Sequence, residues 1–263
     1  MGDCTKTCRI HKSKSMKRQI ALGAAMALAT SLLGADARDD VKAAAKKLAD
    51  ASGYSWKATT EMGGGGGGGG RGGGPTEGMA LKDGTICLKM TRGENTTEAF
   101  KKGDKGVVKT QEGWQSLAEL APAGGGGGGG GGGQGMPGRF MARTLQNYKA
   151  PADEAADMAG KVKELKKEGD AWVGAMTEEG AKSLMTFGRG GAGGGNAPEV
   201  SGAQGKVKFW LKDGVLAKYE YNVKGTVSMG GNDREVDRTT VVEIKDVGTT
   251  KLTVPEEAKK KMS

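Results

Sequence analysis

The sequence predicts an α+β protein: antiparallel strands with one apolar face, covered by amphipathic helices. Two patterns predict it. Runs of two-residue alternation recur between polar turns that carry glycine, the mark of half-buried strands in a meander. Separate segments place apolar residues three and four apart, the mark of helices with one buried face. Three glycine tracts interrupt these patterns without destroying them.

Met16 to Ala37 reads as a secretory signal peptide. Lys17 and Arg18 form a basic start, Ile20 to Leu33 an apolar centre, and Ala35-Asp36-Ala37 a small-x-small cleavage motif. The uncharged run between Arg18 and Asp36 is shorter than the roughly 20 residues of a spanning helix, so cleavage after Ala37 is expected rather than anchoring. Residues 1–37 are thus an N-terminal extension plus signal peptide, with translation expected from Met16, and residues 38–263 form one domain. The implied location is periplasmic or secreted, with no stable membrane anchor after cleavage.

Asp39 and Asp40 are suited to cap a helix whose Val41, Ala44, Ala45 and Leu48 fall on one face. Tyr54, Trp56 and Ala58 alternate with polar residues as a strand. Further strands are expected over Thr76–Leu81, Thr85–Thr91, Asn95–Lys101, Lys105–Thr110 and Gly113–Leu117, divided by turns such as Lys82-Asp83-Gly84 and Lys102-Gly103-Asp104. Met141, Leu145 and Tyr148 give a helix, Pro151 breaks it, and Asp153 to Leu165 resumes it. Asp170–Met176 returns to strand, and Thr177-Glu178-Glu179 opens a short helix carrying Leu184 and Met185. Val207, Phe209 and Leu211, then Ala217, Tyr219, Tyr221 and Val223, form a hairpin around Lys212-Asp213-Gly214. Arg238–Val247 adds a strand, and Pro255 with Glu256-Glu257 starts a terminal helical turn.

The tracts Gly63–Gly74, Gly124–Gly135 and Gly188–Gly195 hold 28 of the 50 glycines. Polyglycine has nothing to bury and the most backbone entropy to lose, so these are expected to be disordered loops. The formal charge is +9, but six basic and two acidic residues precede Arg38, leaving +5 afterwards, well interspersed. No basic stripe emerges. Arg71 and Arg189 each sit once in a Gly-Arg-Gly context, too sparse for an RNA-binding repeat, and behind a signal peptide nucleic acid is not an expected partner.

After Ala37 the chain holds one cysteine, Cys87, and no histidine, since Cys4, Cys8 and His11 all lie upstream. That excludes intrachain disulfides, Cys/His zinc sites, a Ser-His-Asp triad and a Cys-His pair from the mature chain. The acid pairs Asp39-Asp40, Glu178-Glu179 and Glu256-Glu257 stand where helix N-termini favour acids. The chain therefore reads as non-catalytic, with no cofactor and no metal.

The order of parts, with Tyr54-Ser55-Trp56 after the first helix, Gly205-Lys206-Val207-Lys208-Phe209-Trp210-Leu211, and Arg238-Thr239-Thr240-Val241-Val242-Glu243-Ile244 leading to Val254-Pro255, resembles the periplasmic lipoprotein carriers of the LolA and LppX type. The resemblance implies a curved antiparallel sheet, an incomplete β-barrel, with helices on its concave face and acyl chains bound between the two. It implies a binding protein for a lipid, a lipoprotein acyl chain or another apolar ligand, with an apolar ligand or a lipidated protein as partner. The alternative is a structural or interaction component of the envelope whose core is filled. Candidate lining residues are Tyr54, Trp56, Phe209, Leu211, Tyr219, Tyr221 and Ile244. The methionines after Ala37, among them Met141, Met158, Met176 and Met185, suit an adaptable apolar site.

Overall fold

The computed structural model describes residues 33–63, 76–92, 94–120, 136–186 and 199–262. The three expected loops lie outside these residues apart from Gly63, as does the signal peptide up to Ser31 and Leu32. Helix α1 (Leu33–Asp50) buries Val41, Ala44, Ala45 and Leu48, the stripe that the periodicity predicts, and Ala37 one turn earlier, which the sequence pattern assigns to the signal peptide. It starts before Asp39 and Asp40, which therefore do not cap it: leucine and alanine favour helix enough to carry it through Gly34.

Strand β1 (Gly53–Gly63) is followed by the meander β2 (Thr76–Leu81), β3 (Thr85–Arg92), β4 (Asn95–Lys102), β5 (Lys105–Thr110) and β6 (Gly113–Ser116). Three helices interrupt: α2 (Leu117–Leu120), α3 (Met136–Gln146) and α4 (Pro151–Gly160). Pro151 does not merely break a helix; its fixed φ and missing N–H open α4 at the first turn. The helix stops at Gly160 rather than Leu165, because the next residues join the sheet instead: Lys163 N–H donates to Ala175 O and Val162 bridges to Met176. Then come β7 (Lys166–Glu168), β8 (Ala171–Ala175), α5 (Glu178–Thr186), β9 (Glu199–Lys212), β10 (Val215–Met229), β11 (Asn232–Lys245) and α6 (Glu256–Met262).

Among the described residues, eleven strands form one antiparallel sheet in the order β6-β5-β4-β3-β2-β1-β11-β10-β9-β8-β7. It is a curved, open half-barrel. Its two edges are short, and β7 is the exposed Lys166-Lys167-Glu168, a charged edge that resists pairing with another chain.

The main core lies between the concave face and α1, α3, α4 and α5. Close approaches set its detail. Gly78 lies opposite Trp56 on the neighbouring strand, and a Cβ there would stand 2.1 Å from the Trp56 ring. A Cβ on Gly174 would stand 2.2 Å from Glu164 O. A smaller core lies on the convex face, where Cys87, Phe100, Val107 and Trp114 are covered by Leu252, Val254 and the α6 residue Ala258.

Elsewhere the convex face is charged, and its register makes a ladder. Lys218 on β10, Glu243 on β11, Lys57 on β1, Glu77 on β2, Lys89 on β3 and Glu98 on β4 are successive cross-strand partners of alternating sign. Lys57 and Glu77 are 3.7 Å apart, Lys89 and Glu98 3.4 Å, and Lys218 closes the row over the Trp210 ring at 4.8 Å. Such exposed pairs contribute about 0.2–1 kcal/mol each.

One end of the sheet gathers the connections outside the described residues. Gly63 pairs with Asp237 near the β10–β11 turn, Thr76 with Met90 near the β3–β4 turn, and Glu199 with Ser228. Gly138, early in α3, faces Thr110 and Leu120. Described residues that flank the three tracts, remote in sequence, thus meet at the same end.

Candidate functional site

Alternation along the strands puts the seven candidate residues on the concave face. Trp56 is opposite Ile244, Tyr219 is flanked by Val242 and Phe209, and Tyr221 by Thr240 and Val207. Leu211 pairs with Leu216 just before a β-bulge. Six of the seven are buried and Leu211 is half-buried; all belong to, or pack against, one core. Tyr54 and Trp56 have ring centroids 5.7 Å apart, Phe209 and Tyr219 6.4 Å, and Tyr219 and Tyr221 stack at 6.5 Å. Trp56 also stacks on Tyr148, which precedes α4.

This aromatic layer ends in hydroxyls, and α4 sits on them. Ala152 N–H points at the Tyr54 hydroxyl at 3.4 Å, and the Tyr219 hydroxyl donates to Glu154 Oε2 at 2.5 Å. Tyr221 reaches the same carboxyl from two residues along β10. Glu154 is half-buried as a residue, but its carboxyl turns down toward the sheet. Burial therefore raises its pKa, against the lowering pull of the tyrosine hydrogen bonds and of Arg238 and Lys149. Burial likewise raises Tyr54, Tyr148, Tyr219 and Tyr221, keeping all four hydroxyls protonated as donors.

Arg238, on the same face of β11, donates from Nη2 to Leu184 O in α5 at 2.6 Å. Its Nε is buried without a partner. The buried Trp56 Nε1 faces the Tyr148 hydroxyl. Thr60 and Thr240 continue the polar strip at 3.2 Å. Sequence reasoning missed Glu154, Arg238 and Thr240 as members of this face. A signal existed for Glu154: it lies three residues after Pro151 and four before Met158, both buried, so a carboxylate interrupts the apolar stripe of α4.

Two hollows open on the convex face. One of about 480 Å³ runs between Leu81, Asp83, Lys102 and the C-terminal Leu252, Val254 and Met262. Asp83 is held down to about 2 there by hydrogen bonds from Lys102 and Thr85. The other, about 360 Å³, lies between Ser55, Met79, Cys87 and Lys89. Burial pushes the Cys87 thiol up to about 12, so it packs as a small apolar side chain rather than a nucleophile. Among the described residues no cluster of acids, cysteines or histidines is arranged to hold a metal ion, and no helix is long and apolar enough to cross a membrane.

No family model matches the sequence, and no curated protein matches it. Among solved structures the chain is similar to lipoprotein LppX from Mycobacterium tuberculosis, at 9% identity and a TM-score of 0.44, over 84% of this chain and 99% of that one. It is similar to LprF from Mycobacterium bovis at 9% identity and 0.41, over 85% and 98%. It is also similar to a LolA superfamily protein from Nitrosomonas europaea at 10% identity and 0.32, over 82% and 94%.

Proposed function

We propose that the protein is a non-catalytic binding protein of the periplasm or extracellular space that holds an apolar ligand, a lipid or a lipoprotein acyl chain, between the concave face and its helices. The observation that carries this reading is the way α4 is seated. A helix meant only to close a core would meet the sheet through apolar side chains. This one does so through Ala152, Ala155, Met158 and Ala159, but it also sets its first turn on tyrosine hydroxyls through the Ala152 N–H and the buried Glu154 carboxyl, contacts that are replaced by others of similar worth when the helix lifts. Its own underside carries the adaptable Met158 and the small Ala152, Ala155 and Ala159, with Met176 in the same core, so a chain has room once α4 moves.

A second reading, an envelope interaction protein, draws on a different observation: the seven candidate residues pack with one another in a single core, and the two hollows open on the other face. Native mass spectrometry of the protein purified without detergent from the envelope of its own host, followed by solvent extraction, separates the two. A co-purifying lipid or acylated peptide is expected. A clean protein mass that added lipid leaves unchanged overturns the carrier reading in favour of the interaction protein.

A further inference from the structure

Resting on that reading, we infer that Tyr219 and Tyr221, flanked by Arg238, form a recognition site for the carboxyl group of a long-chain fatty acid, and that the Glu154 carboxyl of α4 fills this site as a resident stand-in for the ligand's head group. The two tyrosines stand two residues apart on β10, so both hydroxyls rise from the same face toward one carboxyl. A carboxyl group offers two oxygens to such a pair. The nearby formal charges favour an acid: Arg238 and Lys149 both act on Glu154, and Arg238 keeps a buried Nε–H without an acceptor. The other titratable groups that face this cluster are Tyr148 before α4 and Tyr54 on β1, which feels Asp153.

The position is costly for a merely structural helix. A buried carboxyl loses its hydration, and a leucine of similar length would pack in its place without that loss. The arrangement is explained if the site exists for a carboxyl and α4 supplies one whenever no ligand does. Around the head-group position lie Phe209 and Val242, apolar neighbours for an aliphatic tail that takes the place of the underside of α4. Glu154 then competes with the ligand, and the measured affinity is the intrinsic one reduced by the fraction of molecules in which α4 is seated.

The test is a titration of the whole protein with palmitate and with hexadecanol, the same chain lacking the carboxyl, read by native mass spectrometry and tryptophan fluorescence. Palmitate is expected to bind at least about tenfold more tightly than hexadecanol. Glu154→Ala should tighten palmitate by about tenfold, and Tyr219→Phe or Tyr221→Phe should erase most of the preference over hexadecanol. Where Glu154→Ala fails to fold, Glu154→Ser serves, since its short side chain cannot reach the tyrosine hydroxyls and should likewise tighten palmitate. Equal binding of the two probes, unmoved by these substitutions, overturns the carboxyl site while leaving the apolar cavity standing. Binding of neither probe overturns both.

Discussion

On the concave face a strand residue meets its cover at close range: Trp56 lies over Gly78, Tyr219 ends on Glu154, and the helices add alanines and methionines. On the convex face, apart from the patch beneath α6, the same strands carry Lys57, Glu77, Lys89 and Glu98, which pair with neighbouring charges across the strands. A single alternation therefore divides one sheet between two kinds of stabilisation. Burial on one side is large, specific and intolerant of added volume. Ion pairing on the other is small, additive over many rungs and sensitive to salt.

The largest effect should come from Gly78→Val. Its side chain has no room beside the Trp56 ring, and a loss of about 3 kcal/mol is expected in urea denaturation, with a red shift of tryptophan emission. A loss below about 0.5 kcal/mol would mean that Trp56 is free to move aside. Next is Ala258→Asp, which buries a charge beneath α6; about 2 kcal/mol should be lost, and limited proteolysis should then cut the C-terminal segment first. That result would show the convex patch to be a true second core rather than a covering of little weight.

Glu154→Gln sharpens the comparison through pH. The fold prefers the neutral form of Glu154, so this contribution is complete below the ordinary carboxylate range and is lost as pH rises through the raised value. The variant should remove that slope and be more stable than the parent near neutrality, with no gain in acid. Parallel denaturation curves at every pH would contradict it. The smallest effect belongs to Lys57→Glu, which sets like charges against both Glu77 and Glu243. About 0.5–1 kcal/mol should be lost at low ionic strength and much of it regained in salt, whereas the Gly78→Val loss should not change in that way.

The strands of the meander and the apolar stripe of α1 were legible because they depend on periodicity, which neighbouring residues determine. So was the sharing of one face by Trp56, Tyr219 and Tyr221, since alternation assigns each strand its faces. The ends of elements were less legible. Lys163 leaves the helix to pair with Ala175, a choice made by a strand twelve residues on. The β10–β11 connection runs through Gly230-Gly231, a plain turn signal obscured by the sequence's many other glycines. The Glu154 cluster was hidden for a different reason. It joins a helix to tyrosines 65 residues later, and an acid in the first turn of a helix already has a local explanation in the helix dipole.

The common end at which the described residues flanking 64–75, 121–135 and 187–198 meet has a consequence for how this gene can vary. Each connection is flanked on both sides by hydrogen-bonded strands or packed helices, so the pairing of the sheet does not depend on its length. Doubling a flexible connection costs only about 0.6 kcal/mol. Repeats of a glycine codon can therefore grow or shrink at three places on the map and be felt at one place on the molecule, leaving the register of all eleven strands untouched.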